Sequence, residues 1–244
     1  MKKPRSIIPN LFTMANMLIG FVAIIFASRG DSVSLAYAGI MIFIASFFDL
    51  ADGAIARALN VQSSMGVQLD SLADAISYGI APGIIVYQAF LIKLPEIGCG
   101  FNYGILIASI YPTCAVYRLA RFNLSEKAKG FNGLPSPAAG IFITSFAALS
   151  PLNFPVIGDI SYNLPIEAFI AIYIIVSLIM ITTIDYSKIF NDVVKKGVFP
   201  IIATITFIVL MLVFLKMWAV LIVTGIYIIG GVLIHLVKLF LKKK

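Results

Sequence analysis

The stretch Asp49-Leu50-Ala51-Asp52-Gly53-Ala54-Ile55-Ala56-Arg57, followed after eight residues by Gly66-Val67-Gln68-Leu69-Asp70-Ser71-Leu72-Ala73-Asp74, decides how this chain is read. The chain has eleven acidic residues, and four of them fall in these 26 positions, between two long apolar blocks. Ionisable groups at membrane depth are costly, so they are functional by default. Asp49 and Asp52 are three apart, and Asp70 and Asp74 four apart, so each pair shares one face of a helix. A short connection makes the two helices antiparallel neighbours, and all four carboxylates then converge on one cavity.

The surrounding sequence supplies the membrane. Of 244 residues 61% are hydrophobic and 12% charged, with a mean hydropathy of +1.03, far from the usage of soluble domains. Apolar blocks over 11–28, 34–57, 69–93, 103–122, 136–151, 165–184, 197–215 and 218–241 predict about eight transmembrane helices, with ends uncertain by ~2–4 residues. Backbone groups in lipid must be satisfied within the segment, and the period-2 alternation of a barrel is absent. The fold class expected is an all-α polytopic bundle. No internal repeat is evident and the connections are short, so residues 1–244 read as a single membrane domain, with the catalytic motif at 49–74 and additional spans over 165–241.

An even span count puts both termini on one side, and Lys and Arg choose which. With the N-terminus inside, only Arg29, Lys93 and Lys216 of the eighteen basic residues fall outside. Both termini and the acidic motif are therefore expected on the cytoplasmic face of the inner membrane. The net charge of +7 follows from topology and from anionic lipid headgroups, met by the terminal Lys242-Lys243-Lys244, and needs no nucleic acid. The basic N-terminus before Leu11 has no small-residue cleavage site after the apolar block, so that block reads as a retained span. Cys99 and Cys114, one in a loop and one in a helix, form neither a zinc pattern nor a disulfide framework. His235 lacks an acidic neighbour and reads as structural, and Trp218 and Tyr227 carry no evident chemistry.

Four crowded carboxylates need compensating cations. Oxygen-only ligands select hard ions, Mg²⁺ or Mn²⁺, and the charge of Asp49, Asp52, Asp70 and Asp74 suffices for two. Two such ions suit phosphate ester exchange. Gly53 lets a ligand approach the backbone, Ala56 keeps the same face narrow, Arg57 offers a planar cation for phosphate oxygens, and Gly66 keeps the second helix open.

The whole string resembles the CDP-alcohol phosphotransferases, whose signature D-x-x-D-G-x-x-A-R-x8-G-x-x-x-D-x-x-x-D is matched at every fixed position. The resemblance implies that Asp49, Asp52 and Asp70 are principal metal ligands, and that Asp74 completes the site and is the catalytic base for the acceptor hydroxyl. It implies that Gly53, Ala56 and Arg57 face the cytidine diphosphate moiety, that the acceptor attacks directly without a covalent intermediate, and that the protein is a homodimer. The residues alone leave a carboxylate nucleophile open.

A wider resemblance, carried by Ile8 to Thr13, Leu69 to Pro82, Arg118 to Asn123 and Gly133 to Pro137, points to the phosphatidylserine synthase branch. It implies CDP-diacylglycerol as donor and L-serine as acceptor. A serine pocket should offer a fixed cation for the carboxylate. Arg118 and Arg121 are candidates, with Asn123 adding a neutral donor and acceptor, although positive-inside anchoring explains both arginines too. Thr13 and Asn10 are candidates for nucleotide contact from the first span. The same chemistry with glycerol phosphate, an inositol compound or an archaeal ether-lipid donor is the nearest alternative. A divalent-cation transporter is the alternative from another class, and it has no use for the Gly53, Ala56, Arg57 pattern.

Overall fold

A computed structural model describes residues 7–61, 63–124, 133–149, 164–184, 186 and 217–242. Seven helices make up most of this: α1 (Ile7–Ala27), α2 (Ser32–Ala58), α3 (Ser64–Leu91), α4 (Tyr103–Leu124), α5 (Ser136–Leu149), α6 (Ile166–Ile181) and α7 (Met217–Lys242). Of these α1, α2, α3 and Trp218–Val237 within α7 are long and apolar enough to cross a membrane. The 21 residues of α1 reach about 31 Å at 1.5 Å per residue, the thickness of a hydrocarbon core. The apolar helices α5 and α6 are shorter, with 14 and 16 residues. The expected span over 197–215 and the connections around 125–132 and 152–163 lie outside the described residues.

Local chemistry sets the helix ends near the acidic motif. The Asp31 carboxylate accepts from Ser34 N at 2.9 Å and starts α2, and these hydrogen bonds hold its carboxyl below the usual range. At the other end Asn60 takes a left-handed φ of 51°. Val61 N then reaches back to Ala56 O at 3.1 Å, closing the last turn. Ser63 starts α3 by accepting from Gly66 N at 3.0 Å. Both acid-bearing segments pack against α1, which lies against Ser32–Ala58 and against Ser64–Asp74.

The third helix is not uniform. After Asp74 it widens into a π-helical turn over Ala75–Ile80, tightens over Ala81–Val86, and widens again over Tyr87–Leu91. Such turns concentrate at functional sites. A two-stranded ribbon, Glu96–Gly98 with Phe101–Asn102, joins α3 to α4. This is a small addition to the all-α expectation. Asn102 is buried in it, donating to Ile92 O at 2.9 Å and accepting from Ile105 N at 3.0 Å, so it ties one helix end to the next start.

Packing follows the rules of helices in lipid, where small residues let backbones approach. Ala23, Ala27, Ala38, Ala45, Ala81 and Ala147 gather round Tyr78, Ile42 and Ile85 in one core. A Cβ on Gly39 would lie 2.8 Å from Thr144 O, so α2 and α5 meet there backbone to backbone. A second core is aromatic, built on Tyr111, Phe146, Phe169 and Tyr173. It also repairs α4. Pro112 has no N–H for Ala108 O, and the Tyr173 hydroxyl donates to that carbonyl instead at 2.7 Å.

Candidate active site

Three of the four acids expected to converge do so, and Asp52 stands outside the cluster. Asp49, Asp70 and Asp74 each offer an oxygen, and these oxygens lie within 4.8 Å of one another. Three converging carboxylates are a donor set suited to a hard divalent cation, whose charge would offset their mutual repulsion. Asp52 is buried one turn after Asp49 and accepts a hydrogen bond from Thr13 Oγ1 at 2.5 Å. The first helix thereby fixes the orientation of the fourth acid.

Beside this cluster opens a cavity of about 590 Å³. Thr13, Gly53, Ala56, Arg57 and Gly66 all line it, together with Asp52 and Asp70. Every residue expected to face the donor lipid is thus on one wall. Asn10 lines it too, with its Oδ1 3.6 Å from where a Cβ on Gly66 would stand. The start of α3, at Ser63, Ser64 and Gly66, borders the same space. A helix N-terminus and a guanidinium together favour a phosphate there.

Gly53 has a role that differs in detail from the expectation. A Cβ on it would lie 3.3 Å from Arg57 Nη1. The missing side chain therefore gives room to the Arg57 guanidinium, which folds back over the helix within electrostatic reach of Asp52.

The basic candidates separate. Arg118 is buried, donates from Nη1 to Ser136 Oγ at 2.5 Å and lies within electrostatic reach of Asp74. Arg121 faces elsewhere: its Nη1 and Nη2 donate to Ile181 O at 2.8 Å and Thr182 O at 3.0 Å. Those are terminal carbonyls of α6, where a cation is favoured by unsatisfied acceptors and by the helix dipole. Gly133, at φ 102°, donates to Ile184 O just beyond. Asn123 is exposed and accepts from Ser71 Oγ at 3.1 Å, bracing α4 against α3.

Residues missed from the sequence stand next to the acids. Asn16 is fully buried, and its Nδ2 donates to Asp74 Oδ1 at 3.5 Å. Ser77, in the π turn after Asp74, donates to Asn16 O at 3.0 Å. The Tyr78 hydroxyl is buried within electrostatic reach of all four carboxylates. One signal was available for Asn16. It follows Thr13 by three positions, which makes a polar face on an otherwise apolar span.

Comparison with known proteins accounts for this arrangement. Residues 6–161 match the family described as CDP-alcohol phosphatidyltransferase. A Bacillus subtilis protein named CDP-diacylglycerol-serine O-phosphatidyltransferase is 39% identical over 140 residues, covering 55% of this chain and 71% of its own length. A Methanocaldococcus jannaschii protein of the same name is 32% identical over 186 residues, 76% of each chain. A Methanothermobacter thermautotrophicus protein named archaetidylserine synthase is 34% identical over 187 residues, 75% of this chain and 70% of its own. The matched region contains both acidic pairs, the residues lining the cavity and both Arg118 and Arg121, and the chain belongs to the CDP-alcohol phosphatidyltransferase family.

Proposed function

We propose that this chain transfers the phosphatidyl group of CDP-diacylglycerol to L-serine, giving phosphatidylserine and CMP. The observation that carries the reading is the adjacency of two built features: a carboxylate cluster suited to divalent ions, and a cavity whose wall holds Thr13, Gly53, Ala56, Arg57 and Gly66. The names of the bacterial and archaeal relatives support serine as the acceptor.

Asp49, Asp52, Asp70 and Asp74 would hold two ions, Mg²⁺ or Mn²⁺, which when bound neutralise the pyrophosphate charge. Arg57 and the start of α3 orient the donor's phosphates. Asp74 accepts the serine hydroxyl proton as the serine oxygen attacks the β-phosphorus that carries diacylglycerol. The phosphorus–oxygen bond to CMP breaks, and Arg57 stabilises the charge on the departing phosphate. Arg118 is the cation we assign to the serine carboxylate.

The setting we propose is the inner membrane, with eight spans, both termini and the active site cytoplasmic, and two chains per molecule. Cysteines introduced in the 58–65 connection should be labelled only from the cytoplasm, and cysteines at 152–163 only from outside. Labelling of both from one face would break the span count.

The deciding experiment is CMP release by the purified protein, with and without serine and with divalent ions added or chelated. Release that needs both supports the assignment. Release driven by glycerol phosphate or an inositol compound, with serine inert, would replace the acceptor. Metal uptake into proteoliposomes without CMP release would favour a transporter. A second donor has one specific support, the relative named archaetidylserine synthase. Offering ester-linked and ether-linked CDP-lipids in the same assay separates the two.

A further inference from the structure

The proposed chemistry leaves Asn16 without a task, yet few side chains are held more firmly. It is 0% exposed in the middle of an apolar helix. Its carbonyl oxygen on the main chain accepts from Ser77 Oγ at 3.0 Å. A Cβ on Gly20, one turn on, would lie 2.8 Å from Ser77 Cα, so α1 and the π turn cannot separate or slide without losing this contact. The side-chain nitrogen faces the Asp74 carboxylate, which fixes the amide's orientation, since only the nitrogen end can donate. The Oδ1 end has no hydrogen-bond partner among the described residues. Buried amide oxygens are rarely left so, and each such case calls for a ligand or a reason.

The neighbourhood says which ligand. In the proposed chemistry the acceptor hydroxyl comes to Asp74, and two groups from different helices face that carboxylate: Asn16 from α1 in hydrogen-bond contact, and Arg118 from α4 within electrostatic reach. A cation answers the acceptor's carboxylate. A neutral oxygen answers its ammonium, and neutrality matters, because a fifth carboxylate beside Asp49, Asp70 and Asp74 would compete for the divalent ions. The Tyr78 hydroxyl is also buried without a partner among the described residues. Tyr78 belongs to the core with Ala23, Ile42 and Ala45, however, and a phenol within electrostatic reach of carboxylates serves as a donor.

We propose that Asn16 Oδ1 accepts a hydrogen bond from the ammonium group of the acceptor, so that Asn16 selects a 2-amino-3-hydroxy acid over hydroxy compounds lacking the amine. This rests on the serine reading above. It adds a specificity-determining residue to the site.

The test is a cycle between protein and substrate. CMP release is measured for the wild-type protein, Asn16→Ala and Asn16→Leu, titrating L-serine and, separately, 3-hydroxypropionate, which has hydrogen in place of the ammonium group. Where the analogue turns over too slowly, its inhibition constant against serine is read instead. Both variants should raise the serine KM by about tenfold or more, as for loss of a charge-assisted hydrogen bond. The constant for 3-hydroxypropionate and the KM for CDP-diacylglycerol should stay near wild type, so selectivity for the amine collapses. Equal losses with serine and analogue, or an unchanged serine KM, overturn the proposal and leave Asn16 as a support for Asp74. The leucine variant keeps the side-chain volume and carries the test if alanine fails to fold. A failure of the serine reading itself shows earlier, as wild-type protein that releases no CMP with serine.

Discussion

The acidic side of the site and the basic side obey opposite logic. On the acidic side, Asp49, Asp70 and Asp74 are pressed against one another. Their like charges make that arrangement unfavourable for the protein alone. On the basic side, Arg121 is met by two main-chain carbonyls, whereas Arg118 is tied to the Ser136 hydroxyl within electrostatic reach of Asp74. The acidic side stores a demand for ligand, and Arg121 on the basic side is a finished scaffold contact. Substitutions should therefore remove function among the acids and at Arg118, and geometry at Arg121.

The comparison breaks most sharply at the metal ligands. Asp49→Asn or Asp70→Asn should reduce CMP release to background while the protein stays folded, because a carboxylate at membrane depth has no water to replace its charge. Near-normal turnover of either variant at saturating Mn²⁺ would sink the two-metal reading. Asp74→Asn is the next test. As the base it should lose about 10²–10⁴-fold in kcat, retain donor binding, and gain nothing from more serine. Rescue by serine would make Asp74 a binding residue instead.

The arginines sharpen the contrast. Arg118→Ala should raise the serine KM by roughly 10-fold or more, since a charge-assisted hydrogen bond contributes ~1.5–3 kcal/mol. Arg121→Ala should leave that KM unchanged and lower the thermal midpoint, because it uncovers the carbonyls of Ile181 and Thr182. Equal KM effects in both variants would erase the division between binding and scaffold. The smallest effect belongs to Gly20→Ala. Its new Cβ would meet Ser77 Cα at 2.8 Å, and overpacking of this kind costs about 1–3 kcal/mol. Turnover should fall with stability there, since Asn16 and Asp74 move with the same helices.

The site's acidic half was legible because it is local: Asp49 with Asp52, and Asp70 with Asp74, declare their shared faces by spacing, and Gly53, Ala56 and Arg57 follow within two turns. The basic half was not. Arg118 and Arg121 are three apart on one helix, yet Arg121 is claimed by the end of α6, some 60 residues away in the chain. Only the tertiary arrangement decides that. Asn16 was missed for the same reason, since a polar residue in an apolar span does not name its partner. Helix positions fared better: the blocks at 103–122 and 165–184 appear as Tyr103–Leu124 and Ile166–Ile181. The π turns of α3 were invisible, because each covers only five or six residues, too short a run for its pitch to show in the spacing of side chains.

That wide turn has a consequence for how relatives can be lined up. A π turn is one residue more than an α-helix needs, so from Ala75 to Ile80 the chain carries an insertion that leaves the helix unbroken. The aspartates before it and Pro82 after it are thus in different frames of the same rod. A relative that dispensed with the extra residue would still be able to keep the metal ligands, but Gly83 would turn by about 100° away from Pro112, and Pro82 away from Gly140. Its alignment with this chain would close only by a one-residue gap between the last aspartate and the proline, in the middle of a membrane helix where gaps are least expected.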